Sequence, residues 1–219
     1  NFKYYFMGNK NRQDNIFLKY EGDKYFDRNR INFNKAIFDS VKYLKPNKSH
    51  NILEVGCGSG TTLSRINKIF KSKVFGLDTS KKAINFAKSK YNLKNLFNNT
   101  FLSFRTIKKF DIVISGWFLY VTPDEIINST IKKLIRLVKK NSFLVICDYD
   151  TPKSYLNDWK YNKNIKSYKR DLLKLVYKND KKLYLVSKKL FIHNGIEIKK
   201  YDKKLKLDNI FTVLIFKKI

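Results

Sequence analysis

The stretch Ile52-Leu53-Glu54-Val55-Gly56-Cys57-Gly58-Ser59-Gly60 constrains the fold of this chain more than any other. Asn51 to Val55 is an apolar run of strand length, and Gly56, Gly58 and Gly60 follow at alternate positions. Thr61 to Phe70 then carries Leu63, Ile66, Ile69 and Phe70 at helical spacing. Strand, glycine turn and helix make a βα unit. Glycines let backbone come close to a ligand, and a helix N-terminus offers unsatisfied N–H groups. Lys73 to Leu77 reads as the next strand, with Asp78 at its C-terminal tip. An acid about 20 residues beyond such glycines grips ribose hydroxyls in nucleoside-binding folds.

A dinucleotide-binding loop has the pattern G-x-G-x-x-G. Here the pattern is G-x-G-x-G, with Glu54 two residues before the first glycine. E-x-G-x-G-x-G resembles the first motif of the class I S-adenosylmethionine-dependent methyltransferases. The resemblance implies an α/β fold: a Rossmann-like seven-stranded sheet with helices on both faces and an antiparallel last strand. It implies S-adenosyl-L-methionine as cofactor, with Glu54, Gly56, Cys57, Gly58 and Gly60 at the methionine end and Asp78 and Thr79 at the ribose. The adenine would lie at Asn99, Thr100 and Phe101, where many relatives carry an acid and this chain carries none. Phe110 to Ser115 resembles the family's F-D-x-V strand, and its end, Ser115, would pass beneath the cofactor.

The chain of 219 residues suits one α/β domain at residues 46–219, preceded by an arm and helix at 1–45 that could serve as a substrate lid. No apolar run reaches the roughly 18 to 20 residues needed to span a bilayer, so membrane insertion is not expected. Cys57 and Cys147 suggest neither a disulfide framework nor a metal site, and a cytoplasmic location is the default. A net charge of +29 draws polyanions. Yet the basic residues are 40 Lys against 7 Arg, spread along the whole chain. That looks like the drift of an AT-rich genome, since Arg is the better fork for phosphate. Both readings stand, and both suit an anionic small substrate.

Asn1 to Asn15 show no period and read as a mobile arm. Gly22 and Asp23 suit a turn, and Tyr25 to Asn29 read either as a helix start or as a lid over the cofactor. A helix is expected from Ile31 to Leu44, another from a Ser80 cap to Tyr91, and a weak strand from Leu96 to Leu102. Trp117 and Tyr120 lie past the fourth strand, where open sheets bind ligands, and either line a pocket or simply pack. Pro123, Asp124 and Glu125 open a helix, and Ser142 to Tyr149 is a fifth strand. Asp148 and Asp150 end that strand, as a general base, a holder of an amine substrate, or plain turn residues. Lys153 to Lys166 is a long polar connection and a candidate lid. A helix to about Lys178 and strands at Leu183–His193 and Ile210–Lys217 complete the sheet. His193 is a candidate catalytic base or a solvated turn residue.

Gly22-Asp23 with Tyr25 to Asn29, the acid-rich end of strand five, and Lys169-Arg170-Asp171 together resemble the methylases associated with pseudaminic acid biosynthesis. That implies a sugar or sugar-nucleotide acceptor of surface-glycan synthesis. Arg28, Lys169 and Arg170 would then meet its carboxylate or phosphate, beside Trp117 and Tyr120. The rival is an RNA or DNA methyltransferase, favoured by charge. Against it, no N-P-P-Y/F-like tetrapeptide, Pro-Cys nucleophile or separate nucleic-acid module is visible.

Overall fold

The computed structural model describes residues 13–31, 33–193, 195–200 and 207–219. Five strands lie parallel: β1 (Asn51–Val55), β2 (Lys73–Asp78), β3 (Leu96–Asn98), β4 (Phe110–Gly116) and β5 (Val138–Tyr149). Two more complete the sheet, β8 (Leu183–Ile192) and β9 (Ile210–Lys218). The order is β3-β2-β1-β4-β5-β9-β8, and β9 runs antiparallel to both neighbours. The seven-stranded Rossmann-like sheet expected from the glycine motif is therefore present, with its last strand reversed. Strand order switches direction between β1 and β4. The two strands stay paired to Val55 and Ser115, and the chain leaves their C-terminal ends in opposite directions, where an open α/β sheet has its ligand crevice.

Alternate side chains of the central strands feed two cores, one on each face of the sheet. Leu53, Val113 and Leu144 pack with Ile131 and Leu134 of α6 (Asp124–Leu137) and Val176 of α7 (Leu172–Asn179). Ile52, Ile114 and Val145 pack with Ile37 and Val41 of α3 (Lys35–Tyr43), Leu63 and Ile66 of α4 (Thr61–Phe70) and Ala87 of α5 (Lys81–Tyr91). Burial on both faces explains why these strands are nearly continuous apolar runs. Ser80 caps α5 by accepting a hydrogen bond from the Ala83 amide, as its position implied.

Four local expectations change. Gly22 and Asp23 do not turn the chain. They begin α2 (Gly22–Arg28), which continues α1 (Gln13–Ile16) through a π-helical turn at Phe17–Glu21. The helix after it starts at Lys35, capped by the Asn34 side chain on the Ile37 amide, and leaves Ile31 exposed. The third strand stops at Asn98, and Phe101 and Leu102 belong to the turn beyond it. The polar connection after β5 folds into an antiparallel hairpin, β6 (Tyr155–Asp158) with β7 (Lys166–Lys169). The Trp159 amide bonds to the Ile165 carbonyl at 2.9 Å and narrows its loop. Of the arm expected at Asn1 to Asn15, residues 13–15 are helical instead; residues 1–12, Asn194 of the expected turn and part of the link between β8 and β9 lie outside the described residues.

Candidate active site

The glycine bend sits at the strand switch point. The amides of Gly56 and Cys57 bond to the Leu77 carbonyl at 2.8 and 3.1 Å, which ties the bend to the end of β2. Gly56 and Gly58 hold positive φ, 79° and 49°. A Cβ on Gly56 would lie 2.5 Å from the Gly116 carbonyl oxygen, so no side chain is tolerated there. A Cβ on Gly58 would meet nothing within 4 Å; that residue borders open space. The Gly58 amide donates to Asp78 Oδ2 at 2.8 Å, and the Ser80 amide donates to Asp78 Oδ1 at 2.8 Å. With the Thr79 amide also donating, the carboxylate keeps lone-pair capacity for a ligand donor.

These groups floor a cavity that stays partly open to solvent. Its walls include Glu54, Gly56, Cys57, Gly58, Ser59, Asp78, Thr79, Thr100, Phe101, Gly116, Trp117 and Tyr120. Glu54 is 4% exposed, and its Oε2 has no hydrogen-bond partner. Burial, reinforced by the nearby Asp78 charge, pushes its carboxyl up to about 8. Burial also raises Asp78, against the opposing pull of the Ser80, Gly58 and Thr79 amides. A buried acid without a partner, beside a glycine cradle with room above it, is a site prepared for a positively charged ligand group.

The roof is the N-terminal helix. Asp14, Phe17, Gly22, Tyr25, Phe26 and Asn29 all face the cavity. One end is fastened by Gln13, whose Nε2 donates to the Val121 and Lys166 carbonyls at 2.8 and 2.7 Å and whose Oε1 accepts from the Lys166 amide. The other end is fastened by Asp23, whose Oδ1 accepts from Ser80 Oγ at 2.7 Å and the Lys82 amide at 2.9 Å. Gly22 lets the helix lie close, since a Cβ there would stand 3.0 Å from both Ser80 N and Thr79 Oγ1. Tyr25 on the roof and Tyr120 past the end of β4 both line the cavity.

A family profile described as a methyltransferase domain matches residues 46–212. The chain belongs to the methyltransferase domain family. The methyltransferase is similar in fold to 1,6-didemethyltoxoflavin-N1-methyltransferase of Burkholderia thailandensis, solved with S-adenosylhomocysteine. The TM-score is 0.68 at 11% identity, covering 94% of this chain and 86% of that one. It is also similar to magnesium protoporphyrin IX methyltransferase of Synechocystis PCC 6803, solved with S-adenosylmethionine. There the TM-score is 0.64 at 15% identity, covering 94% and 97%. At such identities the likeness is one of fold, and the cofactor bound in those relatives is the one expected from the glycine motif. A putative RNA methyltransferase of Acanthamoeba polyphaga mimivirus is 30% identical over 93 residues, 41% of this chain. The match spans about a quarter of that protein's length, 24%.

Two residues expected at the methyltransferase's cofactor lie elsewhere. Gly60 faces away from the cavity; its missing Cβ gives room to Ala87, which would stand 2.8 Å from it. Ser59 lines the wall instead. Ser115 is fully buried outside the cavity lining, with Oγ unpartnered, and Gly116 next to it forms the wall.

The expected bases are not on the wall either. Asp148 is fully buried, and its carboxylate accepts from the Leu119, Tyr120 and Tyr149 amides at 2.8, 3.2 and 2.8 Å. Burial still lifts it to about 6. It holds the turn at Leu119–Val121, and that turn presents Tyr120. Asp150 accepts from the Leu172 amide at 3.0 Å and pairs with Lys188 at 2.6 Å. His193 is exposed and stacks on Tyr149, with ring centroids 6.3 Å apart.

Three cations expected at the substrate are already engaged. Arg28 pairs with Glu21 and lies over the Tyr161 ring. Arg170 donates to Asp124 and to the Leu119 and Thr122 carbonyls, clamping the same turn as Asp148. Lys169 sits over the Tyr149 ring and outside the cavity; burial brings it down to about 8, opposed by the Asp148 and Asp208 charges. Trp117 and Tyr120 do line the cavity. Tyr25, Asn34 and Asp14 line it too; Asn34 and Asp14 were not expected there, and Tyr25 falls in the stretch read either as a helix start or as a lid. The only signal for Tyr25 was its place in a dense polar and aromatic cluster, which needed a helix to aim it.

Proposed function

We propose that this chain transfers a methyl group from S-adenosyl-L-methionine to a small molecule, a sugar or sugar-nucleotide of surface-glycan synthesis of the pseudaminic acid kind. One observation carries the reading: Gly58, Asp78 and the unpartnered Glu54 meet in a cavity roofed by the chain's own helix. A roof close enough to touch Thr79 and Ser80 suits an acceptor small enough to be enclosed. The resemblance of residues 22–29 and 169–171 to the pseudaminic acid-associated methylases points to the sugar.

When bound, the cofactor supplies an activated methyl on a sulfonium, so the protein's work is alignment and charge environment. Glu54 would hold the ammonium end and Asp78 the ribose hydroxyls, with Thr100 and Phe101 beside the adenine. Tyr25, Trp117 and Tyr120 would orient the acceptor and exclude water. Asp148 and Arg170 are positioning residues that fix the turn carrying Tyr120, and Asp150 and His193 take no part in proton transfer.

RNA is the second reading, favoured by the net charge of +29 and the short stretch shared with the mimivirus protein. Tritiated methyl transfer across sugar-nucleotides, free nonulosonic acids and total RNA decides between them. Label in a sugar-containing product supports the first reading. Label in RNA, with binding that falls steeply as salt rises, replaces it. Absence of S-adenosylmethionine binding in a calorimeter would sink both.

A further inference from the structure

The turn past β3 reaches the cavity with Asn99, Thr100, Phe101 and Leu102, beside Thr130 of α6. Residues 100–104 form one helical turn that goes no further. The Phe104 amide donates to the Thr100 carbonyl at 3.0 Å, and the Ser103 amide to Thr100 Oγ1 at 3.2 Å. A turn that ends so soon leaves its later carbonyls without helical partners. Three of them converge on one side chain outside the cavity lining. Lys133 Nζ donates to the Phe101, Leu102 and Phe104 carbonyls, at 3.2 Å for Leu102 and 2.7 Å for Phe104.

An ammonium has three N–H donors and no acceptor, so three carbonyls occupy it fully. Lys133 is 9% exposed, and its Nζ lies 4.7 Å from the centroid of the Phe101 ring. Lysine is almost never buried unless paired, and here its partners are the carbonyls of the cavity wall. Burial, with the Arg105 and Arg136 charges, brings it down to about 8, so it remains an ammonium at pH 7. A cation suits the carbonyl end of a helical turn, and a charged donor makes the stronger hydrogen bond. Arg105 also donates to the Leu102 carbonyl and, at 3.4 Å, to the Phe104 carbonyl, but from an exposed side chain. Thr130 and Lys133 stand three apart on α6 and share a face. One helix therefore lines the cavity and holds the turn beside it.

We propose that Lys133 is a positioning residue for the adenine of the cofactor: its three hydrogen bonds fix how Thr100, Phe101 and Leu102 meet the ring. This deepens the methyltransferase reading and rests on its placement of the adenine beside Thr100 and Phe101. Lys133 itself touches no ligand. With the turn loosened the adenine loses its wall, while the rest of the cofactor keeps the glycine bend, Glu54 and Asp78.

The test compares the whole chain with Lys133→Met, which keeps the length of the side chain and loses its donors. S-adenosylhomocysteine is titrated by calorimetry, and S-ribosylhomocysteine, which carries no adenine, by competition against it. Lys133→Met should bind S-adenosylhomocysteine about 10-fold more weakly and S-ribosylhomocysteine equally well. In the free protein the Phe104 amide should exchange its hydrogen several-fold faster, with the Gly56 amide unmoved. Unchanged S-adenosylhomocysteine affinity overturns the inference. So does an equal loss for the two ligands, or faster exchange at Gly56 as well, since either makes Lys133 a support of the whole fold. Should Lys133→Met fail to fold, Lys133→Gln, which retains two N–H donors, goes through the same comparison with a loss of about 3-fold expected. Failure of S-adenosylhomocysteine to bind the unaltered chain overturns the methyltransferase reading itself, and the inference with it.

Discussion

On the floor of the cavity the ligand-facing surface is backbone; on the roof it is side chains. The floor is Gly56 to Ser59, tied through the Leu77 carbonyl to a strand paired on both sides. It cannot move without breaking the sheet. The roof is a helix from Gln13 to Arg28 fastened near its two ends, by Gln13 and by Asp23. Its further ion pair, Lys82 with Asp27, is exposed and contributes little. The roof buries Gln13, Ile16, Glu21, Gly22 and Phe26, but it pairs with no strand, so it can open locally without breaking the sheet. The comparison teaches a division of labour: a rigid floor for the cofactor and a separable roof over the acceptor.

The largest effect should come from the floor. Gly56→Val forces a side chain against the Gly116 carbonyl at a φ of 79°. Cofactor binding should vanish, and stability should drop by about 2–4 kcal/mol. An unchanged melting temperature would break the contrast between floor and roof. Asp78→Asn should weaken S-adenosylmethionine by roughly 10–100-fold, as expected for hydrogen bonds to a charged group of about 1.5–3 kcal/mol. Calorimetry returning the same affinity would remove Asp78 from the site.

Glu54 gives the floor a pH signature. The folded chain keeps its proton up to about 8, while the unfolded chain releases it near 4.5. The folded state binds the extra proton in that window, so stability without ligand should fall as pH rises through it. Asp148, raised from 3.8 to about 6, adds to the slope only below about 6. Between pH 6 and 8 the Glu54 share of the slope should amount to at least about 1 kcal/mol and disappear in Glu54→Gln, leaving whatever the raised Asp78 contributes. Equal slopes in the two proteins, by urea titration, would show that the acid is not held neutral.

Roof changes should be smaller and fall on the acceptor. Asp23→Ala removes the acceptor for Ser80 Oγ and the Lys82 amide, at about 1 kcal/mol. The acceptor KM should rise several-fold with the melting temperature little moved. A global loss of stability instead would make the roof part of the core. Lys82→Ala should cost under about 0.5 kcal/mol and leave both ligands' affinities alone.

The floor was legible because it is local. Glycines at alternate positions, the acid before them and the acid on the next strand are contiguous or one βα unit apart, and backbone geometry dictates the rest. Trp117 and Tyr120, read as lining a pocket or simply packing because open sheets bind ligands past their strand ends, do line the cavity. Asp148, Arg28 and Arg170 have partners that the sequence did not show, for one reason. A charged side chain in a sequence shows what it can bond to, not what already bonds to it. Asp148 is taken by three amides, and Arg170 by Asp124 and two carbonyls.

By itself the sequence determined the parallel sheet, its glycine bend and the acid at the tip of β2. Strand periodicity and a positive-φ requirement are properties of a few neighbouring residues. Only the tertiary structure decided that residues 13–29 form the roof, that Tyr25 shares a cavity wall with Tyr120, and that a chain this basic has acids alone among its described charged wall residues. Those outcomes depend on pairings between residues far apart in the chain. A count of charges carries no information about which of them fold inward.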